Sequence, residues 1–193
     1  HQILEDIGLM KMLPSMTVIV PCDHNQTKAA TKAIAHFDGP VYLRFGRPKV
    51  PNFTPADTTF QIGVADVLTT GSDVTIAACG HLVWEALEAA NALEAEGISA
   101  EVINFSTIKP LDKKALLGSV GKTGRLVTAE EHQRNGGLGD SLAQLLALEM
   151  PSPVEMVAVN DSFGESGTPA QLMDKYGLNT KSIIASVHRV MSR

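Results

Sequence analysis

The chain has 193 residues, 44% apolar and 19% charged, with 16 basic against 21 acidic side chains and a net charge of -5. That balance leaves no electrostatic footprint for nucleic acid or an anionic membrane, and no run approaches the ~18–20 apolar residues of a spanning helix. Two distant cysteines, Cys22 and Cys79, argue against a disulfide framework or a zinc knuckle and fit a reduced, cytoplasmic compartment.

No basic-then-apolar leader is visible, and the sequence starts at His1 without an initiator methionine, which predicts a piece of something longer. From Gln2 to Leu13 the apolar residues Ile3, Leu4, Ile7 and Met10 share one helical face, and Pro14 is the stop. Met16 to Pro21 is a compact β-branched run, and Asp23 or Asn25 can cap the next helix, which buries Ala29, Ala30, Ala33 and Ile34. Gly39 and Pro40 break the chain before a strand from Val41 to Phe45. Two strands and two helices bury too little apolar surface to stand alone, so this piece predicts neighbouring strands upstream or in another chain.

Pro48, Pro51 and Pro55 space out a polar, extended connector over residues 48–59, where we place the domain boundary. Beyond it, Phe60 to Leu68 reads as an edge strand and Asp73 to Cys79 as a buried strand. A helix runs from Leu82 to Gly97, and Ala100 to Phe105 is the next strand, a unit that packs as a right-handed crossover. Lys109 to Val120 predicts a second helix, with Pro110 near its start and Asp112 in its first turn. Strands at Leu126 to Ala129 and Val154 to Val159 flank a helix through Leu142, Leu145 and Leu146, and two short helices close the chain. The expected architecture is α/β: a partial domain over residues 1–47, then a doubly wound, mainly parallel domain over 60–193.

Three glycines, Gly136, Gly137 and Gly139, join the strand at Leu126 to the helix that follows. They suit a tight turn with close helix approach, or a cradle of free amides for an anion. In an open parallel sheet ligands bind beyond the carboxyl ends of the strands. Those ends carry Gly80 and His81, Ser106 and Thr107, the trio Glu130, Glu131 and His132, and Asn160 with Asp161. This rim can bind a metal, act as acid and base, or simply cap helices. Trp84 reads as a core or interface anchor, and His24, His36 and His188 as solvated side chains on helices. Arg44 and Arg47 flank a Phe-Gly turn directly after a strand, where a fork of donors holds either a phosphate or a salt-bridge partner.

Several stretches together resemble the transketolase family. His1 to Asp6, Leu13 to Met16 and Val20 to Asp23 resemble its pyrimidine-binding domain, in which a His-Gln pair precedes a Pro-x-Met and a Pro-x-Asp. Asp38 to Pro48, Ile103 to Asp112, Thr128 to Ala143 and Phe163 to Leu178 are similar to the family's carboxy-terminal part, and the FGESG run with its KYGL element is the most specific. Beta subunits of 2-oxo acid dehydrogenases and deoxyxylulose phosphate synthase are the related alternatives; a non-catalytic interaction module is the third.

The resemblance implies transfer of two-carbon ketol units between sugar phosphates of the pentose phosphate pathway, using thiamine diphosphate and a divalent metal, magnesium or calcium. It implies that His1 is a catalytic residue lining the active-site channel, that Arg47 binds the substrate phosphate, and that the complete enzyme is a homodimer. The family's diphosphate and metal motif, a Gly-Asp-Gly followed by Asn, is not in this chain, nor is the glutamate that activates the aminopyrimidine. The expectation is therefore a carboxy-terminal section that binds no cofactor and is inactive until joined to an amino-terminal section. In the family the carboxy-terminal domain mainly pairs the halves of the dimer, so the rim of His81, Glu131 and His132 is expected to hold at most a regulatory ligand.

Overall fold

The structure, a computed structural model, describes residues 3–193. Its elements in chain order are α1 (Asp6–Lys11), β1 (Thr17–Ile19), α2 (His24–Ile34), β2 (Val41–Leu43), β3 (Asp66–Thr69), β4 (Val74–Ala78), α3 (Leu82–Ala95), β5 (Ala100–Asn104), β6 (Thr107–Lys109), α4 (Lys113–Thr123), β7 (Leu126–Gln133), α5 (Leu138–Glu149), β8 (Val154–Val159), α6 (Pro169–Lys175) and α7 (Thr180–Met191). No helix among the described residues is long and apolar enough to cross a membrane.

The larger sheet has the order β3-β5-β4-β7-β8. The three pairings among β5, β4, β7 and β8 are parallel, and only the edge strand β3 runs antiparallel, against β5. Helices cover both faces, as alternate burial requires: Val74, Ile76 and Ala78 of β4 pack with Leu82, Ala86 and Leu93 of α3 and Ile183 and Val187 of α7. Ala77 and Cys79 face the other way, into Leu116 and Val120 of α4 and Leu138, Leu142 and Leu146 of α5. Every residue of β4 is buried, which explains its continuous apolar run. This is the doubly wound α/β architecture expected from the strand-helix alternation.

The smaller sheet has the order β2-β1-β6. Here the structure corrects the sequence reading: one neighbour of the amino-terminal strands comes from within the chain. β6 pairs antiparallel with β1, through Val18 with Lys109 and Ile19 with Thr107, so the second domain lends a strand to the first. Three residues are too few to show a periodicity, and the helix expected from Lys109 starts at Lys113 instead. Asp112 is its N-cap, accepting from Ala115 N at 3.0 Å, and its other oxygen accepts from Ala65 N at 3.0 Å. On its far side β2 pairs with no described strand.

Other boundaries shift for identifiable reasons. The first helix is confined to Asp6–Lys11, ended where Lys109 Nζ bonds the carbonyls of Lys11 and Leu13 at 2.9 and 2.7 Å. β3 begins at Asp66 rather than Phe60, and residues 44–65 contain no strand or helix. Asp23, not Asn25, caps α2. Trp84 of α3 anchors the connector, its ring centroid 5.8 Å from that of Phe53. β7 extends past Ala129 to Gln133, so Glu130, Glu131 and His132 belong to the strand itself. Strand alternation then sends Glu131 to one face and its two neighbours to the other.

Candidate functional site

Glu130 and His132 are both structural. The Glu130 carboxylate, buried with 1% exposure, accepts from Leu138 N at 2.7 Å and Gly139 N at 2.8 Å, filling the amide nest at the start of α5. Burial raises the carboxyl's affinity for its proton, and the two amides oppose that shift. The three-glycine loop thus holds a carboxyl group, and that group is the protein's own. Gly136 supplies a left-handed turn at φ 82°. A Cβ on Gly137 would collide with the Glu130 carboxylate. His132, fully buried, receives the Gly8 N–H on Nε2 at 3.2 Å, which leaves Nδ1 to donate to the Gln133 carbonyl at 2.8 Å. It fastens α1 to β7.

On the opposite face of β7, Glu131 meets the end of β2. Arg44 Nη2 donates to the Glu131 carbonyl at 2.9 Å, and Nη1 lies 3.3 Å from its Oε2. Nε lies 3.4 Å from Asp6 Oδ2. That same oxygen accepts from the Tyr42 hydroxyl at 2.8 Å; burial and the Asp6 charge push the Tyr42 pKa up to about 12. Arg44 is 14% exposed and Asp6 6%, so the network joins α1, β2 and β7 out of bulk water. Sequence reasoning singled out Arg44 and Glu131 separately and missed Asp6 and Tyr42. Nothing in the sequence marks a contact across 36 residues.

His81 lies beside the cluster without hydrogen-bonding to it. Its Nδ1 lies 3.6 Å from Glu131 Oε2, beyond hydrogen-bond range, and Nε2 lies 3.4 Å from Met173 Sδ. Burial lowers its pKa, with nearby Arg44 adding to that and Glu131 opposing it. Beside it a cavity of about 440 Å³ opens between the two domains, lined by Asp23, His24, Arg44, Phe45, Lys49 and His81 among others. That is the volume of a small-molecule site.

The rest of the expected rim does not converge. Ser106 is buried with its hydroxyl unpartnered among the described residues. Asp161 lines a separate groove with Leu9, Met12 and Phe163. Among the described residues no three His, Cys, Asp or Glu side chains are placed to hold a metal ion. His1 lies outside the described residues. Arg47 sits between Gly46 and Pro48 of the cavity lining, exposed and in no ion pair or hydrogen bond with a described residue. The two arginines that look alike in sequence thus differ: one is committed, the other available.

The described fold agrees with what comparison with known proteins finds. The transketolase C-terminal domain matches residues 63–183, and the transketolase pyrimidine binding domain matches residues 1–52. A 6-deoxy-6-sulfo-D-fructose transketolase subunit of Clostridium sp. (strain MSTE9) is 43% identical over 193 residues, covering all of this chain and 60% of the relative. A putative transketolase C-terminal section of Methanocaldococcus jannaschii is 37% identical, covering 100% of this chain and 61% of its own length. A solved structure described as a split gene transketolase, inactive beta4 tetramer, superposes with a TM-score of 0.97 at 48% identity, over 100% of this chain and 63% of that one. The chain therefore spans about three fifths of the length of these three proteins. With both domain matches in sequence and a parallel α/β fold to carry them, the chain belongs to the transketolase family.

Proposed function

We propose that this chain is the carboxy-terminal section of a split, cytoplasmic transketolase that moves two-carbon ketol units between sugar phosphates once joined to an amino-terminal section. Residues 1–47 then form the end of the pyrimidine-binding domain, 48–59 the linker and 60–193 the carboxy-terminal domain. The observation that carries this reading is the small, open sheet of the amino-terminal part: only β1 is paired on both edges, and β2 and β6 each pair with β1 alone among the described residues. An unpaired row of backbone groups calls for a neighbour. Two copies of the complete unit pair as a dimer in this reading.

The family is thiamine diphosphate-dependent. The described residues do not fit the diphosphate: the amide nest at the start of α5 is filled by Glu130, and no cluster there suits the metal. We place the cofactor's diphosphate and metal on the amino-terminal section; the cofactor would supply the carbanion chemistry when bound. The chain's own contribution is to close one wall of the channel through His1 and to hold the sugar's anionic end through Arg47. A planar guanidinium fits a phosphate bidentately, and equally the sulfonate of a sulfosugar.

Mixing the chain with the section encoded upstream of it tests the proposal. Ketol transfer between pentose phosphates by the mixture, with neither part active alone, is the expected result. Oxidative decarboxylation or deoxyxylulose phosphate formation would assign it to another thiamine enzyme, and no thiamine-dependent activity would make it an interaction module. Titration calorimetry showing micromolar thiamine diphosphate binding by the chain alone contradicts the placement of the cofactor. Arg47→Ala is expected to raise KM about tenfold for phosphorylated sugars and little for unphosphorylated ones. Equal effects remove Arg47 from the role.

A further inference from the structure

We propose that Glu131, on the carboxy-terminal domain, is a positioning residue for substrate binding: by fixing Arg44 it fixes the turn that presents Arg47. This rests on the reading of Arg47 as the grip for the sugar's anionic end. The turn needs a fixed anchor, because Phe45, Gly46 and Arg47 are all exposed and outside regular structure, and Gly46 tolerates wide backbone freedom. Arg44 is the last residue before it. Its N–H donates to the Ile19 carbonyl at 2.8 Å, which fixes the backbone at one point only. The guanidinium supplies the second point, and its planar fork sets direction as well as position.

Glu131 provides two of the three contacts around that fork: its carbonyl accepts a hydrogen bond at 2.9 Å, and its carboxylate forms an ion pair at 3.3 Å. Asp6 provides the third, and Tyr42 holds Asp6 in turn. The second domain therefore reaches the candidate anion site without touching the ligand: β7 holds Arg44, and Arg44 stands three residues from Arg47. The Arg44 side chain is 14% exposed and that of Glu131 28%, so this half-buried ion pair is screened less than a fully exposed one. Substrate-positioning groups are sensitive to a misplacement of about 1 Å, even one that originates far from the chemistry.

The test has two arms. In the chain itself, Glu131→Gln keeps the carbonyl contact and the size of the side chain while removing the charge; hydrogen exchange of residues 41–47 is expected to accelerate several-fold, with β4 and β8 unchanged. Unchanged exchange there overturns the proposal. In the complex with the amino-terminal section, KM and kcat are measured with a pentose 5-phosphate and with the free pentose as acceptor. Glu131→Gln is expected to raise KM about five- to tenfold for the phosphorylated acceptor only, at nearly constant kcat, and Glu131→Asp to recover part of it. An equal rise for both acceptors, or a fall in kcat alone, makes Glu131 merely structural and overturns the inference. Arg47→Ala is the control. If it fails to discriminate between the acceptors, the reading of Arg47 falls and the positioning role falls with it; if Arg47→Ala discriminates and Glu131→Gln does not, only the inference falls.

Discussion

The Glu130 carboxylate occupies the space that a side chain on Gly137 would need, because its oxygens have moved in to accept from the amides of Leu138 and Gly139. A helix start buried under α1 cannot be capped by water, so a carboxylate from the adjacent strand caps it, and only glycine leaves room. Gly137→Ala is expected to push Glu130 off these amides and to cost about 2–3 kcal/mol, by overpacking and by leaving buried donors unsatisfied. Gly118 is the control: it is exposed in the middle of α4, and a Cβ there meets nothing within 4 Å. Gly118→Ala should stabilise by about 0.5–1 kcal/mol. Urea unfolding of both variants against the parent checks the pair; a mild loss at Gly137 would mean that the carboxylate is not the cap.

Much of the fold was legible because β4, β5 and β8 carry short apolar runs and α3 repeats its small and branched residues at helical spacing. What stayed hidden was set by distance in sequence. β6 is three residues long and belongs with β1 only because the chain returns to it nearly ninety residues later. The trio Glu130, Glu131 and His132 read as one rim, yet strand alternation divides it between a helix cap, an inter-domain clamp and a fastening for α1. Arg44 and Arg47 share a chemistry and differ only in which acceptors the fold brings within reach.

His81 should make stability depend on pH. Burial depresses its pKa in the folded state, with Arg44 contributing and Glu131 and Glu85 opposing, so the unfolded chain binds the proton more readily. Its contribution is fully present above the unfolded value of ~6.5 and is lost as pH falls from there toward the folded pKa. His81→Asn removes the titrating group. Denaturation midpoints of the two proteins, compared between pH 7.5 and 5, are expected to show a steeper fall for the parent; parallel lines would mean that His81 ionises as freely folded as unfolded.

Both cysteines should be silent toward thiol reagents in the native protein. Cys22 is 1% exposed and Cys79 2%, and neither is in a disulfide. Burial raises both thiol pKa values, reinforced at Cys22 by the charges of Asp23 and Asp66 and at Cys79 by that of Glu130. The reactive thiolate is thus scarce as well as shielded. Ellman titration at pH 8 is expected to release almost no colour natively and two equivalents after denaturation. A rapid native equivalent would show that the cavity beside Cys22 admits the reagent.

Asp23 holds the two domains' connector against α2, and its charge is what makes the arrangement work. One carboxylate oxygen accepts from Gln26 N at 2.9 Å and the Thr54 hydroxyl at 2.6 Å; the other accepts from Phe53 N at 2.9 Å and Thr54 N at 2.7 Å. Burial favours the protonated acid, but the bonds from Gln26, Thr54 and Phe53 outweigh it and lower the pKa. An acid with a depressed folded pKa stabilises the fold above its unfolded value of ~3.9, and that contribution is lost as pH falls through the folded pKa. Asp23→Asn preserves the shape but turns one acceptor into a donor facing donors, at an expected cost of about 2–3 kcal/mol at pH 7. Because the variant has no carboxylate to protonate there, it should lose less stability than the parent between pH 5 and 3. Equal acid sensitivity of the two proteins in urea unfolding would place the acid-labile group elsewhere.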